Sequence, residues 1–433
     1  MFASFLTCAY PQNMKPKLLT TLQSYSAELF LADAIAGTTV AMVALPLSIA
    51  IAIASGAQPA AGLVTAVIGG FLISALGGSR VQIGGPTGAF IVVVYGVVEQ
   101  FGFDGLLVAT FMAGIILVIG GILRAGRFIA LIPEPVIEGF TIGIAVIIAV
   151  SQLKDLLGET VARMPAEFVR VLPALWAARD TVNLGAIAVG SGAILLIIVL
   201  RRFAPRLPGS IIAIAIASVA VALWIHPVDT LQTRFGSIPN GLPMPSLPPI
   251  SVARIGQLLP STFVIAFLAG VESLLSAMVS DRMTGGAHRS NAELLAQGAA
   301  NIVSPLFGGL PATGAIARTA TNVRAGGRTP ISGIVHAGTI LLVMVAAAPL
   351  AGYLAMPALA GLLIVTAWVM SEPQRWPERL RARASDRFLL FLTFFLTVVS
   401  GLTVAIAVGS GVGLAQRLIR RDLPPADWSP PER

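Results

Sequence analysis

Charged residues are scarce in this chain of 433 residues. Only 11% of them are Asp, Glu, Lys or Arg, whereas about a quarter are charged in an ordinary soluble domain. Hydrophobic residues make up 56%, and the mean hydropathy is +0.88. The composition argues against a soluble enzyme with an apolar core. It predicts an all-α integral membrane protein whose apolar surface is covered by the lipid bilayer.

Cysteine and histidine are also rare, which limits the chemistry available. Cys8 is the single cysteine, so no disulfide can form within the chain. His226, His288 and His336 share no metal-ligand spacing, and residues 85–88 lack the Lys-Ser/Thr ending of a phosphate loop. We therefore predict no catalytic residues, no metal site and no cofactor.

Fourteen apolar runs can be read as transmembrane segments, each of which needs about 20 helical residues to cross a bilayer. The commonest error in such a count is to read two short spans as one. The first 28 residues lack the pattern of a signal peptide, so the first span is expected to direct insertion. The fourteen runs are 31–55, 59–76, 87–101, 105–125, 135–153, 184–200, 208–225, 262–283, 292–307, 314–325, 331–350, 356–370, 388–400 and 402–418.

Basic residues give the orientation, because positive charge accumulates in short cytoplasmic loops. They form no patch interleaved with aromatic residues, so a nucleic-acid partner is not expected despite the net charge of +8. With the N-terminus inside, the inner loops contain Arg80, Arg124, Arg127, Arg201, Arg202, Arg206, Arg282, Arg289, Arg324, Arg328, Arg375, Arg379, Arg381, Arg383 and Arg387. The outer loops contain only Lys154, Arg163, Arg170, Arg179, Arg234 and Arg254. The protein is therefore expected in a bacterial inner membrane, with both termini in the cytoplasm.

Two similar motifs divide the chain into halves. Residues 84–89 (Gly-Gly-Pro-Thr-Gly-Ala) and 310–315 (Leu-Pro-Ala-Thr-Gly-Ala) each open a short apolar run at the third span of a half. Halves of seven spans must lie in opposite orientations, so the two runs become half-helices facing each other, spans 3 and 10 of a 7+7 inverted repeat. The expected boundaries are a cytoplasmic segment 1–30, a first repeat 31–225, an extracellular Pro-rich linker 226–261, a second repeat 262–418 and a cytoplasmic tail 419–433.

Facing half-helices favour an anion site. A helix that begins inside the membrane points free N–H groups and about half a positive charge at whatever lies before it. The alternative is that Pro-Thr-Gly merely starts an ordinary helix, with Thr as its cap. Two copies in corresponding places favour the site.

Glu272 lies about the middle of span 8, where a carboxylate costs at least ~2.5–3.5 kcal/mol. It should therefore face a polar cavity, pair with a cation or carry a proton, which makes it a candidate for ion coupling. The alternative is a neutral acid hydrogen-bonded between helices. Arg318, five residues after Thr313, is a candidate anion ligand; alternatively it pairs with Glu272 or extends towards the cytoplasm.

Four other ionisable residues near the spans carry weaker signals. Asp33 is interpreted as a first-turn acid favoured by the helix dipole. Glu134 and Glu138 frame Pro135 at the start of a helix, at the membrane interface. His336 is interpreted as a packing histidine with satisfied ring nitrogens rather than a proton relay.

Several longer motifs together resemble the sulfate permease (SulP) family, solute carrier family 26. They include Glu-Ser-Leu-Leu-Ser-Ala at 272–277, Leu-Phe-Gly-Gly at 306–309 and Ala-Thr-Gly-Ala-Ile-Ala-Arg-Thr-Ala at 312–320. The similarity extends over residues 44–50, 281–285, 288–291, 293–294, 297–298, 326–330 and 402–406.

The resemblance implies a core domain of spans 1–4 and 8–11 and a gate domain of spans 5–7 and 12–14. It implies a homodimer that moves sulfate, bicarbonate, chloride, oxalate or dicarboxylates by an elevator-like displacement of the core. Carried over by position, the substrate-binding residues are Thr87, Gly88, Ala89, Gly314, Ala315 and Ile316, with Leu47 and Ile51 as walls and Glu272 and Ser276 for ion coupling. A cytoplasmic STAS domain usually follows the last span, and we expect it to be missing here.

Sodium-coupled relatives have Asp at the position of Glu272 and Thr at that of Ser276, so the resemblance favours a co-transported proton over sodium. We interpret the chain as a proton-coupled symporter of a small inorganic or carboxylate anion. The alternatives are sodium-coupled symport, electroneutral exchange or a channel-like leak, and an anion-binding scaffold or sensor. Backbone donors bind oxyanions and carboxylates alike, so the residues leave the substrate open.

Overall fold

The computed structural model describes residues 14–127, 133–161, 164–165, 167–204, 207–223, 227–237 and 239–420. Cys8, Arg163, Arg206 and His226 lie outside these residues, and so do parts of the expected terminal segments 1–30 and 419–433. Within the described residues the chain is mostly helical, as predicted.

The first half of the chain contains ten helices and one short strand among its described residues. A π-helical turn, Thr65–Gly69, joins α3 to α4, and a 3-10 turn, Gly88–Phe90, leads into α5. The elements are α1 Lys17–Thr21, α2 Ala27–Ala54, α3 Pro59–Val64, α4 Gly70–Leu76, β1 Gly84–Gly85, α5 Ile91–Ile122, α6 Glu134–Ser151, α7 Leu153–Leu157, α8 Phe168–Ala178, α9 Leu184–Phe203 and α10 Gly209–Leu223.

The described part of the second half contains a similar set of helices and one short strand. Its elements are α11 Leu231–Phe235, α12 Val252–Thr284, α13 Ser290–Val303, β2 Thr313–Gly314, α14 Ile316–Arg324, α15 Ile331–Ala351, α16 Met356–Met370, α17 Trp376–Arg381, α18 Ala384–Val399 and α19 Leu402–Arg420. Further 3-10 turns lie at Leu22–Ser24, Ala125–Arg127, Arg179–Thr181, Ser304–Phe307 and Pro373–Arg375.

Eight helical runs are long and apolar enough to cross a membrane, counted over the described residues. One of them, Gly88–Ile122, contains both the third and the fourth predicted span, which meet at a kink where Gly102 has φ +73°. Gly209–Leu223 and Val404–Gln416 are apolar but shorter. The count of fourteen spans therefore stays a prediction. The remaining runs are Ala27–Ala54, Pro59–Leu76, Glu134–Leu157, Leu184–Phe203, Arg254–Thr284, Ile331–Ala351 and Met356–Arg381.

The helices pack in two sets. In the first set, made of α2–α5 and α12–α15, α5 packs against α12 and α13, and α2 packs against α15. In the second set, made of α6–α10 and α16–α19, α6 packs against α18, and α9 packs against α16. The pairs α2–α15, α5–α13, α6–α18 and α9–α16 each join one element from each half of the chain, so neither half forms a separate bundle. The two sets meet where α16 and α10 contact α2.

Candidate functional site

The two similar motifs, residues 84–89 and 310–315, meet inside the first set. β1 and β2 pair antiparallel, with Gly84 opposite Gly314 and Gly85 opposite Thr313. Two residues after β1 the chain forms the 3-10 turn that leads into α5, and one residue after β2 it begins α14. The amino ends of two helices thus lie side by side, each preceded by a short extended strand.

Glycine is required on both strands because neighbouring side chains come too close for a Cβ atom. A Cβ at Gly314 would lie 1.6 Å from Nε2 of Gln82. A Cβ at Gly85, where φ is +148°, would lie 2.3 Å from Nη1 of Arg318. The close approach that brings the helix ends together thus depends on these two glycines.

Neither helix end is capped by a side chain from its own cap residue. Thr87 is the N-cap of the 3-10 turn and Ala315 is the N-cap of α14, and neither makes a side-chain hydrogen bond to the helix that follows. The first N–H groups of a helix have no partner within the helix. These amides therefore stay available to an anion. Thr87 and Ala315 are 6% and 7% exposed, so the ends are well shielded from solvent.

Thr87 directs its hydroxyl to Glu272 instead. Its Oγ1 donates a hydrogen bond to Oε2 of Glu272 across 2.8 Å. The carboxyl group from the middle of α12 therefore lies beside the first helix end, and this contact turns it towards the paired motifs. A single proton on this acid changes the charge next to any anion bound there.

Arg318 lies in the first turn of α14 and is 3% exposed. Its Nη2 donates to Oγ of Ser48 across 3.0 Å, whereas Nε and Nη1 have no hydrogen-bond partner among the described residues. It forms no ion pair with Glu272, and its burial contradicts an extension towards the cytoplasm. A buried guanidinium with two unsatisfied nitrogens is costly, and an oxyanion would satisfy both.

A buried polar network behind the site was missed by the sequence analysis as a functional feature. The Oγ of Ser273 accepts hydrogen bonds from Nε2 of Gln82 (2.9 Å) and Nε2 of Gln297 (2.6 Å) and donates to Oε1 of Glu293 (3.2 Å). The other oxygen of Glu293 accepts from the backbone N–H of Gly78 (2.9 Å). Since Gln82 also occupies the space beside Gly314, this network fixes the position of β2.

Asn301 holds the segment before β2. Its side-chain amide donates to the carbonyl of Ala312 (2.7 Å) and accepts from the N–H of Ala312 (2.9 Å), which reproduces a strand-like pair. Glu293, Gln297 and Asn301 follow one another at intervals of four residues on α13. This polar stripe on one helix face is the signal that could have revealed the network in the sequence.

Ser276 lies on α12 one turn after Glu272 and is fully buried. Its Oγ is 3.1 Å from Oγ1 of Thr319, which itself accepts the N–H of Ile83 (3.1 Å). The contact between Ser276 and Thr319 therefore joins α12 to α14. This pairing leaves the hydroxyl of Ser276 already occupied.

The remaining predicted site residues, Leu47, Ile51, Ala89 and Ile316, stay predictions as walls or ligands, and the structure gives their burial. Leu47 is half-buried and Ile51 is 2% exposed, and between them Ser48 contacts Arg318. Ala89 is 8% exposed, whereas Ile316 at the start of α14 is 38% exposed.

The second helix set approaches the first helix end at Gly88. A Cβ on Gly88 would lie 3.1 Å from the sulfur of Met370 and 3.6 Å from Cδ1 of Ile148. Met370 ends α16, and Ile148 lies in α6. The second set therefore offers apolar side chains to the candidate site.

Two of the weaker predictions are wrong. Asp33 is not a first-turn acid, because α2 begins at Ala27; its carboxylate instead accepts the N–H groups of Arg328 (2.8 Å) and Thr329 (3.1 Å). His336 is fully buried as expected, but neither ring nitrogen has a hydrogen-bond partner among the described residues. Its ring packs near Gly70, on which a Cβ would lie 3.6 Å from Nδ1 of His336.

Glu134 and Glu138 bind two arginines that follow α16. Glu134 pairs with Arg375 (3.1 Å), and Glu138 pairs with both Arg379 (3.0 Å) and Arg375 (3.2 Å). α6 begins at Glu134, so the predicted helix start around Pro135 is confirmed. These ion pairs tie α6 to α17 at one end of the second set.

Comparison with known proteins places this geometry in a family. The sequence pattern of the sulfate permease family matches residues 30–393. "Putative sulfate transporter YvdB" of Bacillus subtilis is 42% identical over 388 residues, which cover 89% of this chain and 73% of that protein. "Bicarbonate transporter BicA" of Picosynechococcus is 31% identical over 391 residues, covering 87% and 68%.

A solved structure supports the same assignment. The transmembrane domain of a cyanobacterial bicarbonate transporter BicA superposes with a TM-score of 0.79 at 29% identity, over 88% of this chain and 98% of that one. The family predicted from the motifs is thus confirmed by sequence and by fold. This protein belongs to the sulfate permease family.

Proposed function

We propose that this protein is an integral membrane transporter of small oxyanions that binds its substrate between the amino ends of the two half-helices. The supporting observation is the hydrogen bond between Thr87 and Glu272, which joins a titratable acid to one of those ends. The free nitrogens of Arg318 and the uncapped helix ends supply donors for the anion. The names of the relatives favour sulfate and bicarbonate as the substrate class.

The charges around the site decide which anion needs a proton. Arg318 contributes one positive charge, an ionised Glu272 contributes one negative charge, and each helix end acts as roughly half a positive charge. The site then balances a singly charged anion while Glu272 is ionised. It balances a doubly charged anion only when Glu272 carries a proton. We therefore infer that a dianion such as sulfate or a dicarboxylate is carried together with one proton.

Charge balance matters because the site faces apolar side chains of the second set. Met370 and Ile148 lie against Gly88, and moving an uncompensated charge past such groups is costly. In this proposal the first set is the core and the second set is the gate, and the loaded core slides along the gate. Protonation of Glu272 makes that step possible for a dianion.

A proton is the preferred coupling ion over sodium. The carboxyl group of Glu272, which can carry a proton, already contacts the first helix end through Thr87. The orientation with both termini in the cytoplasm of a bacterial inner membrane, and assembly as a homodimer, belong to the same proposal.

Electroneutral exchange of bicarbonate is the second candidate. The charge balance favours it, since a monoanion needs no proton at Glu272, and two relatives are named bicarbonate transporters. The two candidates differ in their dependence on a proton gradient.

Uptake into liposomes separates them. Radiolabelled sulfate should accumulate when the outside is acid, and Glu272→Gln should abolish the response to pH while anion binding persists. Glu99→Gln, an acid elsewhere on α5, serves as the matched control and should behave as the wild type. Acid-stimulated uptake that survives in Glu272→Gln would refute the coupling role. Uptake that requires an internal counter-anion and ignores pH would select exchange.

A further inference from the structure

Three basic residues from distant parts of the chain meet beside the loop after α4. The backbone N–H of Lys17 donates to the carbonyl of Gly77 (2.9 Å), and that of Arg289 donates to the carbonyl of Gly78 (3.0 Å). Arg80 follows two residues later in the same loop. The guanidinium of Arg289 also donates to the carbonyl of Lys15 (2.8 Å), which holds the segment before α1 in place.

Among the described residues, no acidic side chain forms an ion pair with any of these three cations, although the charge of Asp281 acts on Lys17. Lys17 is only 6% exposed, and its ammonium group makes no ion pair or hydrogen bond there. The two nearby acids are engaged by other groups. Asp281 accepts the N–H of His288 (2.9 Å) and contacts its ring Nδ1 (2.6 Å), and Glu293 accepts the N–H groups of Gly78 and Ser79.

Burial and the neighbouring positive charges shift the pKa values of two of these cations. Burial, followed by the neighbouring charges of Arg289 and Arg80, lowers the pKa of Lys17, and the charge of Asp281 opposes this shift only in part. Burial and Arg80 likewise lower the pKa of Arg289. Backbone hydrogen bonds hold Lys17 and Arg289 beside the loop that carries the exposed Arg80. Like charges held close together repel one another, and an anion between them would relieve that repulsion.

We propose that Lys17, Arg80 and Arg289 form a second anion-binding site, separate from the site between the half-helices, for the phosphate or sulfate group of a small oxyanion or of an anionic lipid headgroup. Guanidinium groups bind such oxyanions through two parallel N–H bonds, and the ammonium of Lys17 adds a point charge. The site lies at the end of the first set where α1 crosses the loop 77–80. It would stabilise the packing of that segment when occupied.

The first test uses the full-length protein in nanodiscs of phosphatidylcholine, titrated calorimetrically with sulfate and with inorganic phosphate. The double variant Lys17→Gln/Arg80→Gln should lose one binding event, or about tenfold in its affinity, while Arg318→Gln should lose the other. Lys17→Arg should retain binding, which separates lost charge from lost folding. Arg282→Gln is the matched control, since this exposed arginine lies in the last turn of α12, just before the loop that leads to Arg289.

The second test distinguishes the source of the anion. Native mass spectrometry after reconstitution with phosphatidylglycerol should show at least about threefold less retained lipid in the double variant if a lipid headgroup occupies the site. A change only in the calorimetric test assigns the site to a soluble oxyanion. If the double variant matches the wild type in both tests, the second site does not exist. Failure of Arg318→Gln to alter binding would instead count against the site between the half-helices.

Discussion

Arg318 donates a single side-chain hydrogen bond within the described part of the chain, from Nη2 to Oγ of Ser48 at 3.0 Å. Ser48 in turn donates to the carbonyl of Ala44 (2.7 Å), two residues before Pro46 interrupts the hydrogen bonding of α2. This relationship anchors one edge of the guanidinium to α2 and leaves Nε and Nη1 free. The orientation of the planar guanidinium group of Arg318 therefore depends on α2, a helix outside the paired motifs.

We expect Arg318→Lys to weaken anion binding although it keeps the positive charge. A lysine cannot present two parallel N–H donors, and a hydrogen bond to a charged group contributes about 1.5–3 kcal/mol, or roughly ten- to a hundredfold in affinity. Sulfate titration of the purified protein measures the change. Ser48→Ala is the control and should cost less, because it removes the anchor but leaves both free nitrogens. Equal affinity in Arg318→Lys and the wild type would exclude the guanidinium as a ligand.

Gly314→Ala should displace β2 and abolish transport. A methyl group there would lie 1.6 Å from Nε2 of Gln82, which is itself held by Ser273, so neither strand nor side chain can yield without breaking the network. Both the temperature of thermal unfolding and the rate of uptake should fall. Gly338→Ala on α15 has no atom within 4 Å of the added carbon and should leave both unchanged or slightly improved. Normal transport by Gly314→Ala would disprove the close approach of Gly314 to the side chain of Gln82.

The phenol of Tyr25 should lose its proton only at an unusually high pH. Its hydroxyl donates to Asp33 (3.1 Å), and burial together with the charge of Asp33 raises the pKa of Tyr25 to about 12. The folded state thus favours the protonated phenol, so its contribution to stability is complete below about pH 10 and is lost as the pH rises towards 12. The ultraviolet titration of tyrosinate in the wild type should show a transition near pH 12 that is missing in Tyr25→Phe. Removal of the charge by Asp33→Asn should shift that transition to lower pH, and no shift would contradict the coupling.

The paired motifs, Glu272 and the family could be recognised from the sequence because each carries a local signal. Thr-Gly-Ala follows a nearby proline twice, in corresponding places, and a carboxylate inside an apolar run stands out. The partner of Asp33 could not be recognised, since Arg328 and Thr329 lie almost three hundred residues away in sequence. Contacts of that kind depend on tertiary packing, which the periodicity of a single segment does not encode.

The polar face of α13 shows a different limitation. Glu293, Gln297 and Asn301 lower the apolar character of that helix, so hydropathy alone describes it as a poor span. In the structure this face is fully buried and binds Ser273 and Ala312. A buried polar stripe and an exposed one look the same in sequence. Only the packing of α13 against α5 and α4 distinguishes them.

The most direct test of the account locates the anion itself. A crystal of the protein grown with selenate, a sulfate analogue with a strong anomalous scatterer, should show an anomalous peak between the backbone amides that begin at Gly88 and Ile316, within hydrogen-bond reach of Arg318. The same peak should weaken in Arg318→Gln crystals. A selenate peak located elsewhere in the first set, with the helix ends unoccupied, would contradict the central claim.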